Sequence, residues 1–126
     1  MRRRGFTLIE MLLVLMLIAL LASLVTPVVT GGIQRAREST LRADLYALRK
    51  AIDDYYADTG TYPPELDELV TKRYLRRIPP DPVTESRDTW VLVRAEEDKA
   101  VKAAGILDVR SGSQDQARDG SHFKDW

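Results

Sequence analysis

The amino-acid sequence predicts an α+β fold, in which a long N-terminal helix packs on a small antiparallel sheet. Three observations carry that expectation. Residues 6–29 are almost wholly apolar, interrupted only by Thr7, Glu10, Ser23, Thr26 and Pro27. Residues 33–58 then place Leu41, Leu45, Leu48, Ile52, Tyr55 and Tyr56 on one stripe about 100° wide, with Lys50 and Asp54 on the far side. Further on, two short apolar runs at 90–93 and 105–109 stand between turn and charge clusters, the pattern of short strands.

The first element follows from length and charge. Residues 6–29 make 24 positions, about 36 Å of helix at 1.5 Å per residue, against a hydrocarbon core of about 30 Å. That is long for a cleaved signal sequence and sufficient for a membrane span. Arg2, Arg3 and Arg4 precede it, so the positive-inside rule leaves the start of the chain in the cytoplasm and the rest outside. Glu10 is the anomaly. An intramembrane carboxylate costs a few kcal/mol and is by default a functional group with a partner. No basic residue lies within the span, but an α-amino group created by a cut between Gly5 and Phe6 would serve. At the outer end, Pro27 removes a helical hydrogen bond and the Gly31-Gly32 pair weakens the helix further. Either the helix stops there and a linker begins, or the three residues form a weak point within it.

The remaining elements are shorter. Thr59-Gly60 is a stop signal for the amphipathic helix, and Tyr62-Pro63-Pro64 cannot continue it. Residues 65–74 carry Leu66, Leu69 and Val70, with Leu75 just beyond, at helical spacing, predicting a short second helix. Pro79-Pro80-Asp81-Pro82 reads as a rigid extended turn, and Glu96-Glu97-Asp98-Lys99 as a solvated hairpin connection between the two strands. Residues 111–126 are polar, contain glycine and are short of apolar anchors, so this segment is expected to be mobile by itself.

Composition limits the chemistry. The chain has 126 residues, 19 basic and 19 acidic, and without Arg2, Arg3 and Arg4 the body is mildly acidic, so no nucleic-acid footprint is visible. There is no cysteine, hence neither a disulfide nor a thiolate metal site. His122, the only histidine, has no ligand or nucleophile partner at a meaningful spacing, and no catalytic or phosphate-binding motif occurs. Ser111-Gly112-Ser113 is a turn signal. The tyrosines of the amphipathic stripe are packing residues. Residues 111–121 contain the one candidate cation site, since hard ions want six to eight oxygens, although a plain polar loop explains the same composition.

The heptapeptide Arg4-Gly5-Phe6-Thr7-Leu8-Ile9-Glu10 resembles the processing site of the type IV pilin and type II secretion pseudopilin family. The resemblance implies a leader peptide over residues 1–5, cut after Gly5 by a prepilin peptidase. Phe6 is then the N-methylated mature N-terminus, and Glu10 is the acid that pairs with the terminal amine of an adjacent subunit. It further implies a transmembrane and assembly helix over 6–29 and a periplasmic pilin-like domain over 30–126. Pro27, with Gly31 and Gly32, is the point where the helix can extend or unwind. The second half is similar to the major pseudopilin in particular, through Thr59-Gly60-Thr61-Tyr62-Pro63, Leu66, Leu69, Tyr74-Leu75 and Ile78-Pro79-Pro80-Asp81-Pro82. Val83-Thr84 depart from the tryptophan and glycine that many such proteins carry there, and the ending over 111–126 also differs. Major pseudopilins bind calcium in the corresponding loop, which makes Asp115, Asp119 and Ser121 the expected ligands, with Arg118 an unhelpful charge among them.

The implied function is a structural subunit of a type II secretion pseudopilus in the bacterial inner membrane, not an enzyme. Its expected partners are copies of itself, minor pseudopilins, the inner-membrane assembly platform and the prepilin peptidase. Nucleic acid is not among them. The alternatives are a type IV pilus subunit for adhesion, motility or DNA uptake, against which the missing cysteine pair argues, and a membrane-tethered binding module.

Overall fold

A computed structural model describes residues 4–95 and 105–126 of the chain. In order these form helix α1 (Leu8–Thr59), helix α2 (Leu66–Thr71), strand β1 (Val91–Arg94), strand β2 (Ile106–Arg110) and a closing 3-10 turn (Phe123–Asp125). The chain divides into two compact units, Met1–Arg35 and Ala36–Trp126. The expected α+β arrangement is present.

In the first unit, α1 begins on a reciprocal cap. The Thr7 backbone N–H donates to Glu10 Oε2 (3.2 Å), while the Glu10 N–H donates to Thr7 Oγ1 (3.3 Å). This T-x-x-E box satisfies donors that a helix start otherwise leaves open. The described large apolar side chains of this unit are all exposed, from Phe6 and Leu8 to Val29 and Ile33. The helix does not stop at Pro27, which lies inside it. The hydroxyls of Ser23, Thr26 and Thr30 bond carbonyls three or four residues back, which keeps these polar groups satisfied on an apolar helix.

In the second unit, the amphipathic stripe of α1 becomes one side of the core. Leu41, Leu45, Leu48, Ala51, Ile52 and Tyr55 pack with Leu66 and Leu69 of α2, Trp90, Ile106 and Val109 of β2, and Ala117 and Phe123. Tyr56, at the edge of the stripe, is 42% exposed and stacks on Tyr62 with ring centroids 4.4 Å apart. Gly60 ends the helix in the left-handed region (φ 72°), and its N–H returns to the Tyr56 carbonyl at 2.8 Å. β1 and β2 are antiparallel, with Val91 opposite Arg110 and Leu92 opposite Val109, and an irregularity falls between Val93 and Arg94.

Three details differ from expectation. α2 ends at Thr71, not near residue 74, because Arg73 takes a left-handed φ of 66° and the Tyr74 and Leu75 amides both turn back to the Leu69 carbonyl. That reversal brings the Tyr74 ring edge-on to Tyr55 and its hydroxyl to Asp58 at 2.7 Å. The strands run one residue later than the apolar runs suggest, since Trp90 is spent on the core and its Nε1–H on the Pro79 carbonyl. The connection around 96–99 lies outside the described residues. The largest correction concerns the C-terminal segment, which is anchored: Phe123 is 1% exposed, Ala117 is buried and Trp126 packs against the core.

Candidate functional site

Gly5 and Phe6 precede the first helical turn and are exposed in a stretch without regular structure. Glu10, in the first turn of α1, already has a local partner, the Thr7 amide. The T-x-x-E spacing is the sequence signal of this cap. Around Glu10 the helix offers apolar surface that nothing in the described chain covers, and α1 is long and apolar enough to cross a membrane. Burying a leucine or isoleucine side chain is worth about 1.5–3 kcal/mol, so a surface of this size calls for lipid or neighbouring subunits. Gly31 and Gly32 have open space where a Cβ would stand. Packing within the chain therefore does not demand glycine there, and the remaining consequence of the pair is a weaker helix.

The C-terminal loop, where the ion site is expected, is tied down by protein groups. Glu38 on α1 is only 8% exposed and takes two donors from Arg118: the backbone N–H at 2.8 Å and the guanidinium Nε at 3.4 Å. Asp119 Oδ1 accepts from the Ser121 amide (2.9 Å) and hydroxyl (2.6 Å), and Ser121 Oγ in turn accepts from Trp126 Nε1 at 2.8 Å. Arg42 lies 4.4 Å over the Trp126 ring, and Arg49 Nη2 donates to the Trp126 carbonyl at 2.6 Å. Four carbonyls of the C-terminal segment, those of Asp115, Ala117, Ser121 and His122, accept backbone N–H groups from within residues 117–125. Asp115 and Asp119 are both exposed, and among the described residues no group of three or more His, Asp or Glu could hold a metal. Calcium wants six to eight oxygens, and of the expected ligands Asp119 Oδ1 and Ser121 Oγ already hold protein partners.

Beneath the loop lies a buried polar cluster that sequence reasoning also missed. Asp81 is fully buried and accepts from Ser111 Oγ at 2.5 Å and from the Val83 amide at 2.9 Å. The two residues that depart from the tryptophan-glycine pattern begin there: Val83 and Thr84 fold over the Asp81 carboxylate as a turn. Asp44 on α1 has its carboxyl held above the usual range, first by burial and then by the charge of Asp81. Hydrogen bonds from the Ser121 hydroxyl and amide hold Asp119 below that range.

Comparison with known proteins places these features in one family. Residues 1–26 match the prokaryotic N-terminal methylation motif. The chain is similar to the type II secretion system core protein G of Pectobacterium carotovorum subsp. carotovorum, 36% identical over 64% of this chain and 62% of that relative. It is 35% identical to core protein G of Aeromonas hydrophila, and 37% identical to that of Klebsiella michiganensis, over 64% of this chain and 68% of the relative in both cases. The chain thus spans about two thirds of the length of these relatives. No solved structure matches it. A methylation motif at the head of an uncovered apolar helix, a small α+β domain behind it, and relatives of one kind make this chain a member of the type II secretion system core protein G family, the major pseudopilins.

Proposed function

We propose that the chain is the repeating subunit of a type II secretion pseudopilus and has no catalytic activity of its own. It is made as a prepilin, with residues 6–29 in the inner membrane, Arg2, Arg3 and Arg4 on the cytoplasmic side, and the domain from residue 30 onward in the periplasm. A prepilin peptidase removes residues 1–5, Phe6 becomes the methylated N-terminus, and subunits polymerise with minor pseudopilins on an inner-membrane platform. In the filament, Glu10 accepts the Phe6 ammonium of a neighbour, a pairing favoured where an unpaired carboxylate is costly. Pro27, Gly31 and Gly32 give α1 the pliancy to serve both as membrane span and as packed filament element. The observation that carries this reading is the exposed, non-helical Gly5-Phe6 bond one turn before a lone acid on an apolar helix.

Processing is the direct test. Co-expression with a prepilin peptidase is expected to yield membrane protein lighter by Met1 to Gly5, with one added methyl group, by intact mass. Full-length protein alone, or a cut near Ala22-Ser23 by a general signal peptidase, would defeat the proposal.

A further inference from the structure

We propose that the C-terminal loop of this subunit is closed by a clasp of protein groups, Glu38 with Arg118 and Asp119 with Ser121 and Trp126, and that it folds and stays folded without calcium. The inference concerns the domain alone and stands whether or not the chain polymerises. A cation in such a loop does two jobs: it gathers carboxylates that would otherwise repel, and it satisfies carbonyl oxygens that face inward. Here protein groups hold Asp119 and four of the carbonyls.

Arg42 is the cation that acts on Asp119, and Arg118 supplies the tie to α1. Its guanidinium and its amide converge on the mostly buried Glu38, 80 residues earlier in the chain, so the middle of the loop is tied to α1. The far limb is tied by the relay from Trp126 Nε1 to Ser121 Oγ to Asp119 Oδ1, which leaves the serine hydroxyl with one bond given and one received. Trp126 is itself held between Arg42 and Phe123, whose ring centroid is 5.0 Å away. The carbonyls of Asp115, Ala117, Ser121 and His122 close turns inside the loop. The Asp115 carboxylate, which a calcium site would need, is exposed and takes no part in these bonds. Gly120, at φ 86°, makes the tight reversal between Asp119 and Ser121.

The experiment uses the full chain in detergent, with Trp90 and Trp126 fluorescence following thermal unfolding in millimolar calcium, in magnesium, and in chelator. Coincident midpoints are expected. A calcium site filled at a hundredfold excess over its dissociation constant would instead raise the midpoint of so small a domain by roughly ten degrees or more. Any reproducible rise with calcium over magnesium overturns the proposal. Arg118→Ala, which keeps the amide bond to Glu38, is expected to lower the midpoint equally in all three buffers, and Glu38→Ala to lower it further. Asp115→Ala is expected to leave it unchanged. A fall with Asp115→Ala seen only in calcium, or no fall with Arg118→Ala, also overturns the proposal, and neither variant requires the loss of a core side chain.

Discussion

Asp44 and Asp119 lie in one small domain and feel opposite environments. Asp44 is partly withdrawn from water beside the buried Asp81, so its carboxyl titrates above the ordinary range, with burial the larger cause. A raised folded-state value means that Asp44 favours folding only at acid pH, and that this contribution is lost as pH rises through the folded value. At neutral pH it works against the fold. Asp119, held low by the Ser121 hydroxyl and amide, favours folding above the unfolded carboxylate range, and that contribution is lost as pH falls through its depressed value. Asp44→Asn should therefore raise the unfolding midpoint at pH 7, with the gain shrinking toward acid pH as wild-type Asp44 takes up its proton. Asp119→Asn should lower the midpoint at pH 7, and its deficit should also vanish in acid. Midpoints of the three proteins across pH check this, and a gain from Asp44→Asn that grows in acid would show that charge is not its cause. Neither environment was legible in the sequence, because each is set by a residue brought near by folding or by a turn. Gly112 is a similar case. It is a turn residue by sequence, yet a Cβ there would clash with the Thr89 carbonyl oxygen, so close backbone approach is what requires glycine.

The decisive element is the first turn of α1. Its apolar length and its single acid were legible at once, since a run of this kind and a lone carboxylate need no tertiary context to be noticed. What went unread is that Thr7 and Glu10 form a capping box, so the carboxylate has a local task before any neighbour arrives. With the proposed pairing to a neighbour's amine added to this cap, a glutamate-to-alanine change alone confounds the two. Glutamine separates the two, since its amide oxygen can still accept from the Thr7 N–H while the charge is gone. Glu10→Gln should preserve the helix start and membrane insertion yet assemble poorly, because a neutral amide pairs weakly with an ammonium in low dielectric. Glu10→Ala should lose assembly and also about 1 kcal/mol of helix-start stability. The measurement is filament yield from cells beside the helical content of the purified subunit. Glu10→Gln filaments at wild-type yield would leave the carboxylate with its capping role only.

At the scale of the whole molecule, the chain separates into a part that needs company and a part that does not. The stripe of α1 was legible because a period of 3.6 survives in any single helix, and the second helix and both strands because turn residues bracket them. The anchoring of residues 111–126 was not, since Ala117, Phe123 and Trp126 are isolated apolar residues in a polar run and only their burial shows that they belong to the core. The clasp was hidden for the same reason: Glu38 and Arg118 are too far apart in sequence for spacing to suggest a pair. With those anchors counted, every member of the core cluster lies at Leu41 or later, and the large uncovered apolar side chains are concentrated before that point. A truncated chain beginning at Ile33 should therefore be a soluble monomer that unfolds in one cooperative step, with a stability on the order of 5 kcal/mol. Far-ultraviolet circular dichroism and tryptophan fluorescence should give coincident transitions, because α1, Trp90 and Trp126 meet in one core. Aggregation, or a broad transition that differs between the two probes, would mean that residues before Ile33 contribute to folding. In that case the exposed apolar helix would have a structural task within its own subunit, beyond lipid and neighbours. The cluster argues otherwise, since removing residues 1–32 takes away none of its members.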